Sequence, residues 1–201
     1  RSLAGLGYQE TINFSFVEES WEAQLAGNTH PIRLLNPIAS QMSVMRSSLM
    51  GSLLQVVKFN IDRKAERVRV FEIGRVFLRD ENVQDTDATV KGFHQPMRVA
   101  AMAWGPAEPT GWHGKSRLVD FFDVKADLQA LLLPLTPTFV PAEHPALHPG
   151  RSAQVLLNGQ AVGFIGELHP RWRQTWDLPQ APVVFELDLD AVLQRPVAVA
   201  Q

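Results

Sequence analysis

The residues best suited to chemistry lie in three short stretches. The first is Phe77-Leu78-Arg79-Asp80, which ends the strand-like run "VRVFEIGRVFLRD". A strand that ends in an aromatic residue, an arginine and an acid can present the guanidinium to a phosphate. Here a leucine follows the aromatic directly, and Arg79 comes one position later. The second is "FELDLDA", where Glu186, Asp188 and Asp190 alternate with Phe185, Leu187 and Leu189. On a strand the three carboxylates share one face. They could hold a divalent cation, or they could form the solvated face of an amphipathic edge strand. The third is "EHPALHPG", with His144 and His148 four apart and His113 and His169 elsewhere. Two imidazoles at that spacing bind zinc from a helix, but Pro145 and Pro149 break any helix there, so a proline-shaped loop is the plain reading.

Other site signatures are absent from the sequence. There is no Gly-x-Ser-x-Gly elbow, P-loop or dinucleotide-binding glycine run. Trp104, Trp112, Trp172 and Trp176 are not interleaved with basic residues as a base-stacking platform would be.

The elements that must position these residues follow from periodicity and turn signals. "ETINFSF" alternates and predicts a half-buried strand. "EESWEAQLAG" predicts a short helix stopped by Gly27, and "IRLLNPI" a strand ended by Asn36-Pro37. "RSSLMGSLLQVVKFNIDRK" is the strongest helix, capped by Ser47 or Ser48, with Leu49, Leu53 and Val57 on one stripe of a broad apolar band. Residues 79–96 read as a long mobile loop and 105–117 as another, flanking the central apolar strand "MRVAAMAWG". In "FFDVKADLQALLLPL", Asp123 caps a helix that Pro134 ends. Asn158-Gly159 marks a type I′ hairpin, Pro170 opens a short helix, and "VVFELDLDAVL" is a last strand running into a helix. Mostly strands with few helices between them predict an α+β fold with a largely antiparallel sheet flanked by helices.

The totals narrow the function. The 201 residues, 45% apolar, suffice for one sizeable core, and residues 1–201 read as a single domain. A formal net charge of −2 gives no broad basic face for nucleic acid. The absence of cysteine excludes disulfides and thiolate metal sites. No apolar run approaches the ~18 residues of a membrane span, and no signal peptide is evident. The opening "RSLAGLGYQE" reads as a helix end turned by Gly5 or Gly7, so the chain is expected to be a fragment of a longer one.

Five blocks in order, "LAGLGYQETINFSFVEES", "LLNPIASQMSVMRSSLMGSLL", "VRVFEIGRVF", "HPALHPGRSAQV" and "VGFIGELHP", resemble the beta subunit of bacterial phenylalanyl-tRNA synthetase, specifically its catalytic-like module. The resemblance implies a class II aminoacyl-tRNA synthetase-like fold. It implies a cytoplasmic α₂β₂ assembly in which the alpha subunit holds the active site and the whole enzyme charges tRNA with phenylalanine, using ATP and Mg²⁺. For this fragment it implies no cofactor, no catalytic residue and no metal.

The same resemblance assigns the degenerate motif positions. Leu78 stands where the second class II motif has the arginine that grips the α-phosphate, and Arg79 occupies the variable position. Strand neighbours face opposite sides, so Arg79 does not substitute. Glu186 and Asp188 stand where third-motif glycines would admit adenine, and Ala191 where its arginine would be. The cleft is therefore expected to lack positive charge for a triphosphate. The first-motif helix implies a subunit interface, with Leu49, Leu53 and Val57 as candidates that could equally be core. Two alternatives remain: a metal-assisted hydrolase built on His144, His148 and Glu186 or Asp188, and a degenerate pocket retained for a small ligand.

Overall fold

A computed structural model describes residues 1–109, 111 and 117–193; His113 and Trp112 lie outside the described residues. The elements in order are α1 (Ser2–Gly5), β1 (Gln9–Glu10), β2 (Phe16–Val17), α2 (Glu19–Trp21), β3 (Val44–Met45), α3 (Met50–Asp62), β4 (Val68–Arg75), β5 (Leu78–Arg79), β6 (Phe93–His94), β7 (Met97–Trp104), α4 (Phe121–Leu132), β8 (Thr138–Pro141), β9 (Leu147–Leu157), β10 (Gln160–Leu168), α5 (Pro170–Thr175), β11 (Val183–Asp188) and α6 (Leu189–Leu193). Seven strands form one sheet in the order β1-β4-β7-β11-β10-β9-β8. β1 runs parallel to β4, and the other five pairings are antiparallel.

Both faces of this sheet are covered, which explains why "VAAMAW" is apolar throughout instead of alternating. Val99, Ala101, Ala103, Val183, Phe185 and Leu187 pack with Val124, Leu128 and Leu132 of α4. Ala100, Met102, Trp104, Val68, Val70 and Val184 pack with Leu49, Leu53, Leu54 and Val57 beneath α3. Leu49, Leu53 and Val57, the candidate subunit-interface residues, are each 0% exposed. The sheet of their own chain covers them, so they have no surface to offer a partner. Each such burial stabilises the chain by about 1.5–3 kcal/mol.

Several local expectations are met atom by atom. Asn158 and Gly159 both have positive φ, 51° and 79°, as a type I′ turn between β9 and β10 demands. Gly27 ends the α2 helix, which continues as a π-type turn over Glu22–Ala26, in the left-handed region. The cap of α4 is Asp120, one turn earlier than expected. Its side chain accepts from Phe122 and Asp123, while Asp123 reaches back to the Asp120 N–H in a capping box.

Other expectations are corrected. Residues 11–14 are not a strand: Ile12 and Phe14 are exposed, and of this stretch only its ends pair, Glu10 with β4 and Phe16 with β3. "IRLLNPI" contributes a single bridge, Arg33 to Val44. The stretch 79–96 is a hairpin extension, with β5 paired to β6, since Leu78 and Phe93 supply the strand-forming residues that its acidic tip lacks.

A buried ion pair ties this frame to the start of α3. Arg46 Nη1 lies 2.7 Å from Glu72 Oε1, with both side chains 3% exposed. Arg46 Nε also donates to the Arg75 carbonyl, and Asn13 Nδ2 donates to the other Glu72 oxygen at 2.7 Å. Gly74 makes this possible: a Cβ there would sit 2.3 Å from Arg46 Nη2. Breaking a buried pair leaves an uncompensated charge. Glu72→Ala is therefore expected to lower unfolding free energy by about 3–5 kcal/mol in urea denaturation. Gly74→Ala should also destabilise. The double substitution should cost less than the sum of the two, since each change breaks the same contact.

Candidate functional site

The site is a cleft of about 670 Å³ on the α3 side of the sheet. Its floor comes from β7, β10 and β11, and its walls from the start of α3, from β5 and from the turn at residues 143–145. Strand alternation decides what the floor shows. In β7, Ala100 and Met102 pack with the α3 cluster, so Arg98 emerges on that face. Val184 does the same in β11, which places Glu186 there as well. The apolar alternates face α4.

Glu186 is only 7% exposed, and its carboxylate is fully engaged. One oxygen lies 2.5 Å from Arg98 Nη1. The other accepts from the Ser48 hydroxyl at 2.9 Å and the Leu49 N–H at 2.6 Å. Arg98 Nη1 also donates to the Ser47 carbonyl at 3.0 Å. The start of a helix and an adjacent arginine supply the hydrogen-bond donors that a carboxylate accepts from. β11 is an interior strand, between β7 and β10, so the solvated-edge reading of "FELDLDA" does not hold. Glu186, Asp188 and Asp190 do not form an acidic row either. Asp190 belongs to α6, and Asp188 Oδ1 accepts from the N–H groups of Asp190 and Ala191 to cap that helix.

Leu78 lines the cleft, whereas Arg79 is exposed and its Nε donates to the His30 carbonyl at 3.3 Å. Ala191 packs against the α4-side core. The expectation of a cleft without positive charge needs correction, because Arg98 lines it. Sequence reasoning passed over this residue. The one signal was that Arg98 is the only charged residue in "MRVAAMAWG", and a charge in a buried strand implies a partner.

The histidines serve the backbone. In each of His144-Pro145-Ala146, His148-Pro149-Gly150 and His169-Pro170-Arg171, the imidazole Nδ1 accepts the N–H two residues on, at 3.2, 3.0 and 3.0 Å. Among the described residues no group of three or more His, Asp or Glu side chains is placed to hold a metal. His144 lines the cleft with its ring 5.0 Å from that of Phe164. Burial holds its pKa below the ordinary 6.5, although Glu186 pulls the other way. The fold thus favours the neutral ring. The stability this contributes is full above about pH 6.5 and is lost as pH falls below it. An NMR titration should place His144 below 6.5, and Phe164→Ala, which opens the ring to water, should bring it back toward 6.5.

This largely antiparallel sheet, with α3 on the cleft side and α4 behind, is the fold of the class II aminoacyl-tRNA synthetases. The structure of a pyrrolysyl-tRNA synthetase from Desulfitobacterium hafniense superposes on it with a TM-score of 0.64, covering 96% of this chain and 64% of its own at 11% identity. That likeness concerns the fold alone. Residues 1–189 match the family described as the phenylalanyl tRNA synthetase beta chain CLM domain, and the chain belongs to that family. The phenylalanine–tRNA ligase beta subunit of Burkholderia lata is 59% identical over 194 residues, and that of Ralstonia nicotianae is 60% identical over 191. These alignments cover 96% and 95% of this chain; it spans 24% of the length of each relative.

Proposed function

We propose that this chain is a non-catalytic synthetase-like domain of a phenylalanine–tRNA ligase beta subunit. In this reading it pairs with an alpha subunit in a cytoplasmic α₂β₂ assembly and supports the ATP- and Mg²⁺-dependent charging of tRNA with phenylalanine. One observation carries it: the cleft's arginine is bound by Glu186. Leu78, which the resemblance aligns with the phosphate-gripping position, lines the same cleft and supports the reading. ATP bound there would meet Glu186, Asp188 and Glu143 with no free guanidinium among the cleft's described residues. Positioning and charge neutralisation are what a phosphoryl group needs from a protein, and this cleft supplies neither.

A metal-assisted hydrolase fits poorly, because His144 and His148 each use Nδ1 on their own backbone. A degenerate pocket kept for a small ligand has the cleft's volume in its favour. Titration calorimetry with phenylalanine distinguishes them: the scaffold gives no saturable heat, and a ligand pocket does. For catalysis, phenylalanine-dependent pyrophosphate exchange should be absent from this chain and from its Leu78→Arg variant, and should appear once an alpha subunit is added. Exchange by the chain alone would exclude the scaffold.

The partner surface is assigned to apolar residues that the chain leaves uncovered. Ile12 (94%), Phe14 (66%), Leu35 (98%) and Ile38 (83%) are exposed. They lie on the two segments that flank β3, joined to it through Arg46 N–Ser15 O, Met45 N–Ile32 O and Leu34 N–Ser43 O. Apolar exposure of this kind marks an interaction surface. Phe14→Asp combined with Leu35→Asp should weaken assembly with the alpha subunit by at least about tenfold in sedimentation experiments, while leaving the melting temperature of the free chain unchanged.

A further inference from the structure

Three kinds of donor converge on the Glu186 carboxylate: the Arg98 guanidinium, the Ser48 hydroxyl and the Leu49 N–H at the start of the 13-residue helix α3. A cation, a hydroxyl and a backbone N–H at a helix N-terminus make the donor set that recognises an oxyanion. The set is built rigidly. Ser48 is 9% exposed, its oxygen also accepts from Met50 N at 3.1 Å, and Arg98 is steadied by the Ser47 carbonyl. Ser48, Arg98 and Glu186 all line the open cleft, so solvent reaches the spot.

We propose that Glu186 is the resident ligand of an oxyanion site, a carboxylate of the chain itself standing where a phosphate or carboxylate group would bind, and that it closes the cleft to anions. Asp188 and Glu143 line the same cavity and add to the exclusion, and the neutral His144 ring offers no counter-charge. The class of ligand that would take the vacated place is a small oxyanion, with inorganic phosphate as the probe. The inference deepens the non-catalytic reading and rests on it in one respect: no nucleotide displaces Glu186 in the native chain.

The test follows the Ser48 and Leu49 amide signals of the ¹⁵N-labelled chain as phosphate is added at constant ionic strength. The native chain should show no saturable shift. Glu186→Ala should show saturable shifts at both amides with a dissociation constant on the order of 1 mM. Adding Arg98→Met to that variant should weaken the response at least about tenfold. If Glu186→Ala is unfolded in chloride, phosphate should restore its native spectrum. A folded variant that stays silent, an unfolded one that phosphate does not rescue, a response that survives Arg98→Met, or a response to ATP without one to phosphate would each overturn the proposal. Pyrophosphate exchange by the chain alone would instead sink the non-catalytic reading, whatever the titration shows.

Discussion

Four consecutive residues, Arg46 to Leu49, are held by three buried glutamates from three different elements. Glu72 of β4 takes Arg46, Glu22 of the π-type turn takes the N–H and hydroxyl of Ser47, and Glu186 of β11 takes Ser48 and Leu49. All three glutamates are at least nine-tenths buried. A carboxylate in such a place must find hydrogen-bond donors. The tetrapeptide provides them in a row and thereby fixes where α3 begins. The entry angle of α3 then sets how Leu49, Leu53 and Val57 meet the sheet and how wide the cleft opens beside them. Gly74 belongs to the same arrangement, because only a residue without Cβ leaves room for the Arg46 guanidinium.

The cleft shows how a synthetase fold can hold its charges in pairs within the chain. An active site of this class needs cations that remain available to phosphate. Here the one arginine that reaches the described cleft is spent on packing β7 against the start of α3 through Glu186. Leu78 turns the β5 wall apolar. The Arg98 charge is paired with a counter-ion from the neighbouring strand, and with Glu143 and Asp188 also in the lining the net balance of the cavity turns negative. The same side-chain types are present as in a phosphate site; the pairing decides what they do.

Much of this architecture was legible in the residue pattern because it is local. The α3 stripe, the Asn158-Gly159 turn, the Gly27 stop and the apolar β7 depend on neighbours a few residues away. The misses were long-range. "ETINFSF" alternates as a half-buried strand should, yet its apolar side faces outward; alternation says that one face will be covered, and not by which chain. "FELDLDA" looked like an edge because its acids alternate, whereas Glu186 is interior and is matched by groups 88 and 138 positions away. The HPA, HPG and HPR triplets show the opposite case: three imidazoles that suggest metal ligands are explained by a backbone contact two residues on.

The separation of 138 positions between Ser48 and Glu186 also bears on how the chain acquires its shape. Contacts between distant segments carry a large closure entropy and form late, after local structure is in place. The first turn of α3 is therefore completed by a strand that emerges from the ribosome near the end of this segment. Until β11 inserts between β7 and β10, the leading amides of α3 and Arg98 lack the Glu186 carboxylate. The middle of the sheet is the last gap to close, and an arrested chain would present that gap as a ready template for another strand.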